Sequence, residues 1–462
     1  MKLDEKLWAV GGGAGAQWRA VHRRRTLDAR ARLREAVRRL RGQAPAAVRR
    51  AGLDGSARFL LSARGPKAER ALGHPAVDYW LSLWESHFAR ACPAEDWRLH
   101  WGQLGGAAAA LALETGAALD AAAELDPDGS LYLYGTPWAL DVPKRARAAV
   151  RLRVRGKILR VEAPGLRATL ALDSPPAAPW RRLDEVAPGI VVDDRGWLQL
   201  HGVTMHGRAR LDDAARAAFA RTIARAMSDM AERDPLLHAE MIDLLRVLAP
   251  LENPKNYGSV SSSYANLRGL IALSPSDDAL LQAETLIHEF CHMKINQLSA
   301  ADPLIFPGQS GQVFYSPWRP DARRLRGLLL GAHAFLNVAR YLARSLEREE
   351  FDETRRLAVM SNVARRVFQV EAALSACAEH ADFTEFGRRL LLEMWRELGL
   401  VRHAMLWFPA KLVAEQRGLC DAHRRERTVF GTWIHKSPEF VDAAPRPRFT
   451  TTATPARAQG KK

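Results

Sequence analysis

Between about residues 130 and 208 the apolar residues alternate with polar ones in short runs, "SLYLYG", "AVRLRVRG", "ILRVEAP", "LRATLALD" and "GWLQLHG", broken by Gly, Pro and Asp. On either side the apolar period is helical. Side chains alternate across a strand but recur every third or fourth residue on a helix, so two kinds of element are required. The pattern predicts an α+β fold, predominantly helical, with a small antiparallel β unit. Before the switch, residues 17 to 125 are expected to be helices, with Leu27, Leu33, Val37 and Leu40 on a buried face and aromatic anchors in "VDYWLSLWESHFARAC". After it, Asp212 and Asp213 suit a helix start, and several amphipathic helices are expected from 323 to about 426. The expected units are a basic helical region at 1–128, the β unit at 129–210, a helical domain at 211–436 and a disordered tail at 437–462.

The chain of 462 residues has room for two or three packed units, and its 47% apolar and 26% charged residues are globular usage. No run of about 18 apolar residues offers a membrane span, and the N-terminus lacks the apolar core of a signal peptide, so a soluble, cytoplasmic protein is expected. Cys92, Cys291, Cys377 and Cys420 lie far apart, against a disulfide framework or a cysteine zinc site. The net charge is +16, and residues 1 to 50 hold 14 Lys and Arg against 4 Asp and Glu. A basic balance of this kind suits a solvated helical face or an anionic partner. An acidic peptide segment is the partner expected. No nucleic-acid-binding signature accompanies the charge, and neither nucleic acid nor membrane is expected. The Gly run at 11 to 15 lacks the Gly-Lys-Ser/Thr of a phosphate loop and reads as a joint.

The stretch "ETLIHEFCHMKINQL" at 284 to 298 contains H-E-x-x-H. On a helix, positions four apart share a face, so His288 and His292 project together and can offer two imidazoles to one divalent ion, which would make 211–436 a metal-binding catalytic domain. The short strand Leu270 to Leu273 before this helix gives the C-terminal half a zincin-like strand plus H-E-x-x-H helix. The metzincin pattern is excluded, because its Gly and third His fall on Ile295 and Leu298. No Glu lies between Met293 and Ser345. His333, flanked by the small residues Gly331, Ala332 and Ala334, is therefore the expected third ligand. Cys291 is turned from the metal face and expected in the core.

The run "GLIALSPSDD", the H-E-x-x-H helix, and "YSPWRPDARRLRGLLLGAHAFLNVARYL" together resemble the H-E-x-x-H peptide-modification proteins of ribosomally made peptide natural products, over roughly residues 250 to 400. The resemblance implies an iron(II)- and 2-oxoglutarate-dependent dioxygenase, an oxidoreductase that hydroxylates a side-chain β-carbon of a precursor peptide with O2. Such an enzyme needs three protein ligands and a cation for the distal carboxylate of 2-oxoglutarate. Arg319 or Arg326, within a group that includes Arg323 and Arg324, would be that clamp, and Trp318 would wall the pocket. Glu289 would be a ligand, an orienting group or a proton acceptor.

Two other readings stand beside this one. In a zinc metallopeptidase or amidase, Glu289 would be the general base on metal-bound water. In a peptide-binding scaffold the metal would be structural. The loop "NYGSVSSSYANLRG" lies where an extended peptide could pair by strand addition, with Ser261, Ser262, Ser263, Tyr264 and Asn266 as its hydrogen-bonding candidates.

Overall fold

The computed structural model describes residues 15–43, 52–90, 94–126, 129–145, 148–174, 178–194, 209, 211–253, 259–265, 267–300, 302–306, 312–348 and 351–428. The Gly run, Cys92, Asn266, "GWLQLHG" and the tail lie outside them. The fold is α+β and predominantly helical, with small sheets. Five helices come first: α1 Gly15–Gln43, α2 Leu53–Ser62, α3 Pro66–Leu72, α4 Pro75–Arg90 and α5 Ala94–Thr115. Nine strands follow, β1 Leu119–Glu124, β2 Ser130–Tyr132, β3 Trp138–Asp141, β4 Ala149–Arg155, β5 Ile158–Ala163, β6 Leu166–Ala171, β7 Trp180–Arg182, β8 Glu185–Ala187 and β9 Ile190–Val192. The chain continues through α6 Asp213–Arg233, α7 Pro235–Leu244, β10 Val247–Pro250, β11 Ser261–Ser263, β12 Leu270–Leu273 and α8 Ala279–Ser299. It closes with α9 Leu325–Arg348, α10 Glu353–His380, α11 Glu385–Ala404 and α12 Ala410–Thr428.

The alternation expected of the β unit appears directly in β4, where Val150, Leu152 and Val154 point inward and Arg151, Arg153 and Arg155 outward. Strands β1-β4-β5-β6 form one antiparallel sheet and β2-β3-β7 another. β1 lies in a stretch expected to be helical. Its Ala-rich sequence carries little strand preference of its own; pairing with β4 and the ion pair of Asp120 with Arg151, 2.7 Å, hold it extended. The third sheet, β11-β12-β10-β9-β8, is mixed: β10 runs parallel to β9 and β12, whereas β8 and β11 are antiparallel edges.

This mixed sheet divides the apolar interior. Val191, Val247, Ala249, Leu270 and Ala272 pack with the N-terminal helices and the other two sheets. Ile190, Val192, Leu248, Ile271 and Leu273 pack with α6 to α12. Strands buried on both faces need a continuous apolar run, which "VLAP" and "LIAL" supply.

On α1, Leu33, Val37 and Leu40 are buried as expected, but Leu27 is 67% exposed. Six residues separate Leu27 from Leu33, a spacing that turns it away from the buried stripe. The same helix buries Arg25, whose guanidinium meets the Asp78 carboxylate on α4 at 3.1 Å. Asp78 also receives Arg268, at 2.7 Å, from the turn that feeds β12. Arg25 further donates to the carbonyls of Gly73 and Arg268 and to Gln297 Oε1 on α8. Other α1 arginines are engaged within the fold, Arg32 with Glu85, Arg41 with Asp54, and Arg38 and Arg39 with Glu35. A second buried pair, Lys294 on α8 with Glu240 on α7 at 2.8 Å, lies under the helix that carries the histidines. Among the described residues no helix is long and apolar enough to cross a membrane.

Removing Asp78 leaves Arg25 buried without its countercharge. Asp78→Ala should therefore lower stability by about 3–5 kcal/mol, read as a reduced midpoint in urea unfolding.

Candidate functional site

Asp278 caps α8, accepting from the backbone N–H groups of Leu280 and Leu281. From Leu280 to Leu298 every residue is buried except Leu281, Glu284, His288, His292 and Asn296. These recur every three or four positions, so the helix presents one polar stripe and is otherwise embedded. The Nε2 atoms of His288 and His292 lie 3.0 Å apart. Burial lowers the pKa of both imidazoles; for His288, His292 and Arg366 lower it further, while for His292 the Glu289 carboxylate opposes the shift. Both rings are therefore neutral at neutral pH, and the short contact is one ring donating to the other.

Glu289 is turned out of this stripe. Its two carboxylate oxygens accept hydrogen bonds of 2.7 Å from the Ser261 and Ser263 hydroxyls of β11. Residues two apart on a strand share a face, which is why alternate serines reach one carboxylate. Ser259 and Thr285 hydroxyls, 3.0 Å apart, add a second tie between this segment and α8. Ser262 lies between them in the strand, hydrogen-bonds Tyr264, and with it sits outside the cleft described next.

That cleft, about 410 Å³, is lined by Ser263, His288, His292, Asn296, Trp318, Arg319, Arg323, Gly327, Leu330, Gly331 and Phe335. Gly327, Gly331 and Phe335 fall on one face of α9, four residues apart. Phe335 lies against His288, ring centroids 4.6 Å apart, and against Trp318 at 5.2 Å. The Arg366 guanidinium sits over the Phe335 ring, 4.0 Å from its centre. Trp318 is half-buried and lines the cleft. Gly331 admits that indole and not another backbone: a Cβ there would lie 2.2 Å from Trp318 Cζ2. Arg319 lines the cleft and donates to Asp321 at 3.0 Å. Arg326 does not line it; its guanidinium donates to Asn296 Oδ1 at 3.0 Å. A larger cavity of about 610 Å³ lies among residues 313–317, α10 and α12, with mixed charges and away from the histidine pair.

His333 does not join His288 and His292 at the cleft. It is 1% exposed, two positions beyond Gly331 and so about 200° around α9. Burial lowers its pKa well below the ordinary value, with Lys294, His292 and Arg340 adding to the effect. Glu284, one turn before His288, accepts from Asn362 Nδ2 at 2.9 Å, and burial pushes its carboxyl up to about 7. Cys291 is fully buried and its thiol is pushed up to about 12, the behaviour of a core residue.

No family model matches the chain, and no curated protein matches it. Among the described residues no group of three or more His, Cys, Asp and Glu side chains converges to hold a metal ion. These findings overturn the expected metal centre and, with it, the iron(II)- and 2-oxoglutarate-dependent peptide hydroxylase, its zinc metallopeptidase or amidase alternative, and membership of the H-E-x-x-H peptide-modification family. The physical reason is the fate of the donors. Two imidazoles meet at the cleft, Glu289 faces the β11 serines, Glu284 faces Asn362, and His333 faces the core. The residues present do not fit iron or zinc, and the arginine clamp for 2-oxoglutarate has no centre to serve. The spelling H-E-x-x-H reports helical spacing, which the structure has; the third donor is a tertiary matter that the spelling does not contain. Arg323, Gly327, Leu330 and Phe335 were not singled out individually, although the repeat of Gly327, Gly331 and Phe335 at four-residue spacing marked one face of α9.

Glu284 gives a pH signature. Its folded pKa lies above the unfolded value, so the folded state holds a proton that the unfolded chain has released, and stability falls as pH rises from about 5 to 7. Glu284→Gln should remove that loss. The variant's gain in stability over the parent, read from melting curves, should grow between pH 5 and pH 8, towards at most about 3 kcal/mol. Gly331→Ala should displace Trp318 into the cleft and cost about 1–3 kcal/mol, visible as a lowered melting temperature and an altered near-UV spectrum.

Proposed function

We propose that the chain is a recognition protein for an extended, acidic peptide segment, which adds as a strand to the edge of β11 and lays its side chains along the cleft. The observation that carries this reading is the position of β11. Among the described residues it pairs on one side only, with β12, and it borders the histidine-lined cleft through Ser263. Backbone groups in an antiparallel pair alternate between facing the partner and facing away. Val260 bonds to Ser274 across the ladder through its carbonyl, so Ser262 faces β12 next, and the backbone groups of Ser261 and Ser263 face the edge. Glu289 fixes the same two residues from the helix side, so the edge is held ready before a ligand arrives.

Charge supports the choice of an acidic segment. Among the described residues the cleft is lined by two arginines and two neutral imidazoles and by no Asp or Glu. The zincin-like strand and helix expected for the C-terminal half enter here as a geometry for holding a peptide beside a helix, without metal chemistry. A precursor peptide with an acidic leader fits this partner class. Exposed Arg23, Arg24 and Arg34 of α1 offer it a secondary, electrostatic contact, and weak dependence on them is expected because that helix's remaining charges are largely engaged internally.

Strand addition makes main-chain hydrogen bonds at every second ligand residue. A fluorescein-labelled acidic peptide should bind the purified protein in an anisotropy titration. N-methylation at alternate positions in one register should weaken binding by about tenfold or more for each bond lost with its donor left unpaired. Equal tolerance of N-methyl groups in both registers would remove strand addition as the mode.

A further inference from the structure

We infer that Asp321 is an internal stand-in for a ligand carboxylate: it holds Arg319 and Arg323 at the cleft, and an acidic side chain of the bound segment takes its place between them. This rests on the peptide reading above and names the group by which the ligand is selected. Arg319 Nε donates to Asp321 Oδ1 at 3.0 Å. Arg323 Nε lies 2.9 Å from Asp321 Oδ2, close enough for an ion pair. The second contact is poorly aligned, because that buried Nε makes no hydrogen bond. Both arginines line the cleft and Asp321 does not. Among the described residues, the terminal guanidinium nitrogens of Arg319 and Arg323 make no hydrogen bond. Each arginine therefore keeps the paired donors that suit a carboxylate, while Asp321 engages only the Nε side.

The arrangement has the properties of a replaceable counter-ion. Asp321 keeps two like charges together in the absence of ligand, and all three side chains are 38–53% exposed, so the pair is reachable from solvent. Trp318, adjacent in sequence to Arg319, covers the apolar side of the same opening. A ligand carboxylate arriving from β11 would meet Trp318 and the arginine forks together. A neutral peptide would meet the same edge strand and gain nothing from the arginines, which is the basis for discrimination.

The test uses the full chain and two labelled synthetic peptides of the same strand-forming sequence, one with a central Glu and one with Gln. The Glu peptide should bind about two- to fivefold tighter, the scale of an exposed ion pair, and the difference should shrink in high salt. Asp321→Asn removes the competing charge and keeps the shape, so it should tighten the Glu peptide by a similar factor and leave the Gln peptide unchanged. Arg323→Gln should abolish the preference for Glu. If Asp321→Asn weakens the Glu peptide, or if Glu and Gln peptides bind alike in the parent, the inference is overturned. Binding of both peptides with equal affinity would still leave strand addition standing, whereas binding of neither would remove the peptide reading itself. Circular dichroism of each variant separates these outcomes from misfolding.

Discussion

Burial of β10 and β12 on both faces is the constraint on which the rest of the molecule depends. A strand with apolar side chains on both sides must be covered twice, and the two covers here are built from different parts of the chain. The N-terminal helices and the two smaller sheets supply one, and α6 to α12 supply the other. The polar exception in the same sheet is β11, whose three serines could not lie between two apolar layers and therefore stand at its margin. The position of the cleft follows from that exclusion. It opens where the sheet stops being apolar.

Much of this was legible in the sequence because periodicity is a local property. The arginine alternation of β4, the helical start at Asp212, and the shared face of His288 and His292 each need only neighbouring residues to be seen. What was not legible depended on residues distant in the chain. β1 is a strand because β4 lies beside it. Leu27 is exposed because the hydrophobic stripe of α1 runs past it, while Arg25 takes an interior place that only Asp78 makes tolerable. His333 was expected at the cleft because its small neighbours permit a close approach. The close approach is real, but it is the indole of Trp318 on Gly331, and the histidine itself lies around the helix. Even the serine loop, read as a candidate for strand addition, gave no sign that Glu289 would fasten its alternate hydroxyls.

The charge of the chain divides along the same line. Net charge alone suggests a molecule waiting for an anion over its whole N-terminal region. In the fold, Arg25, Arg32, Arg38, Arg39 and Arg41 have carboxylate partners of their own, and Arg30 donates to the carbonyls of Leu61 and Ala63 at the C-terminal end of α2. Arg319 and Arg323, beside the neutral imidazoles, share Asp321 through their Nε atoms and line the opening. Composition counts both groups equally, and only the tertiary structure distinguishes ion pairs that hold helices together from cations that face an opening.

The reach of Arg25 gives the first helix a mechanical part in the distant cleft. Its guanidinium touches α4, the turn before β12 and Gln297 near the end of α8, so three elements, the farthest contact 272 residues from Arg25 in sequence, share one side chain. Excision of α1 would thus do more than delete a basic arm. It would also remove a buried partner of Gln297, near the C-terminal end of the histidine helix, and leave the Lys294–Glu240 pair as the buried ion pair behind that end of the cleft wall.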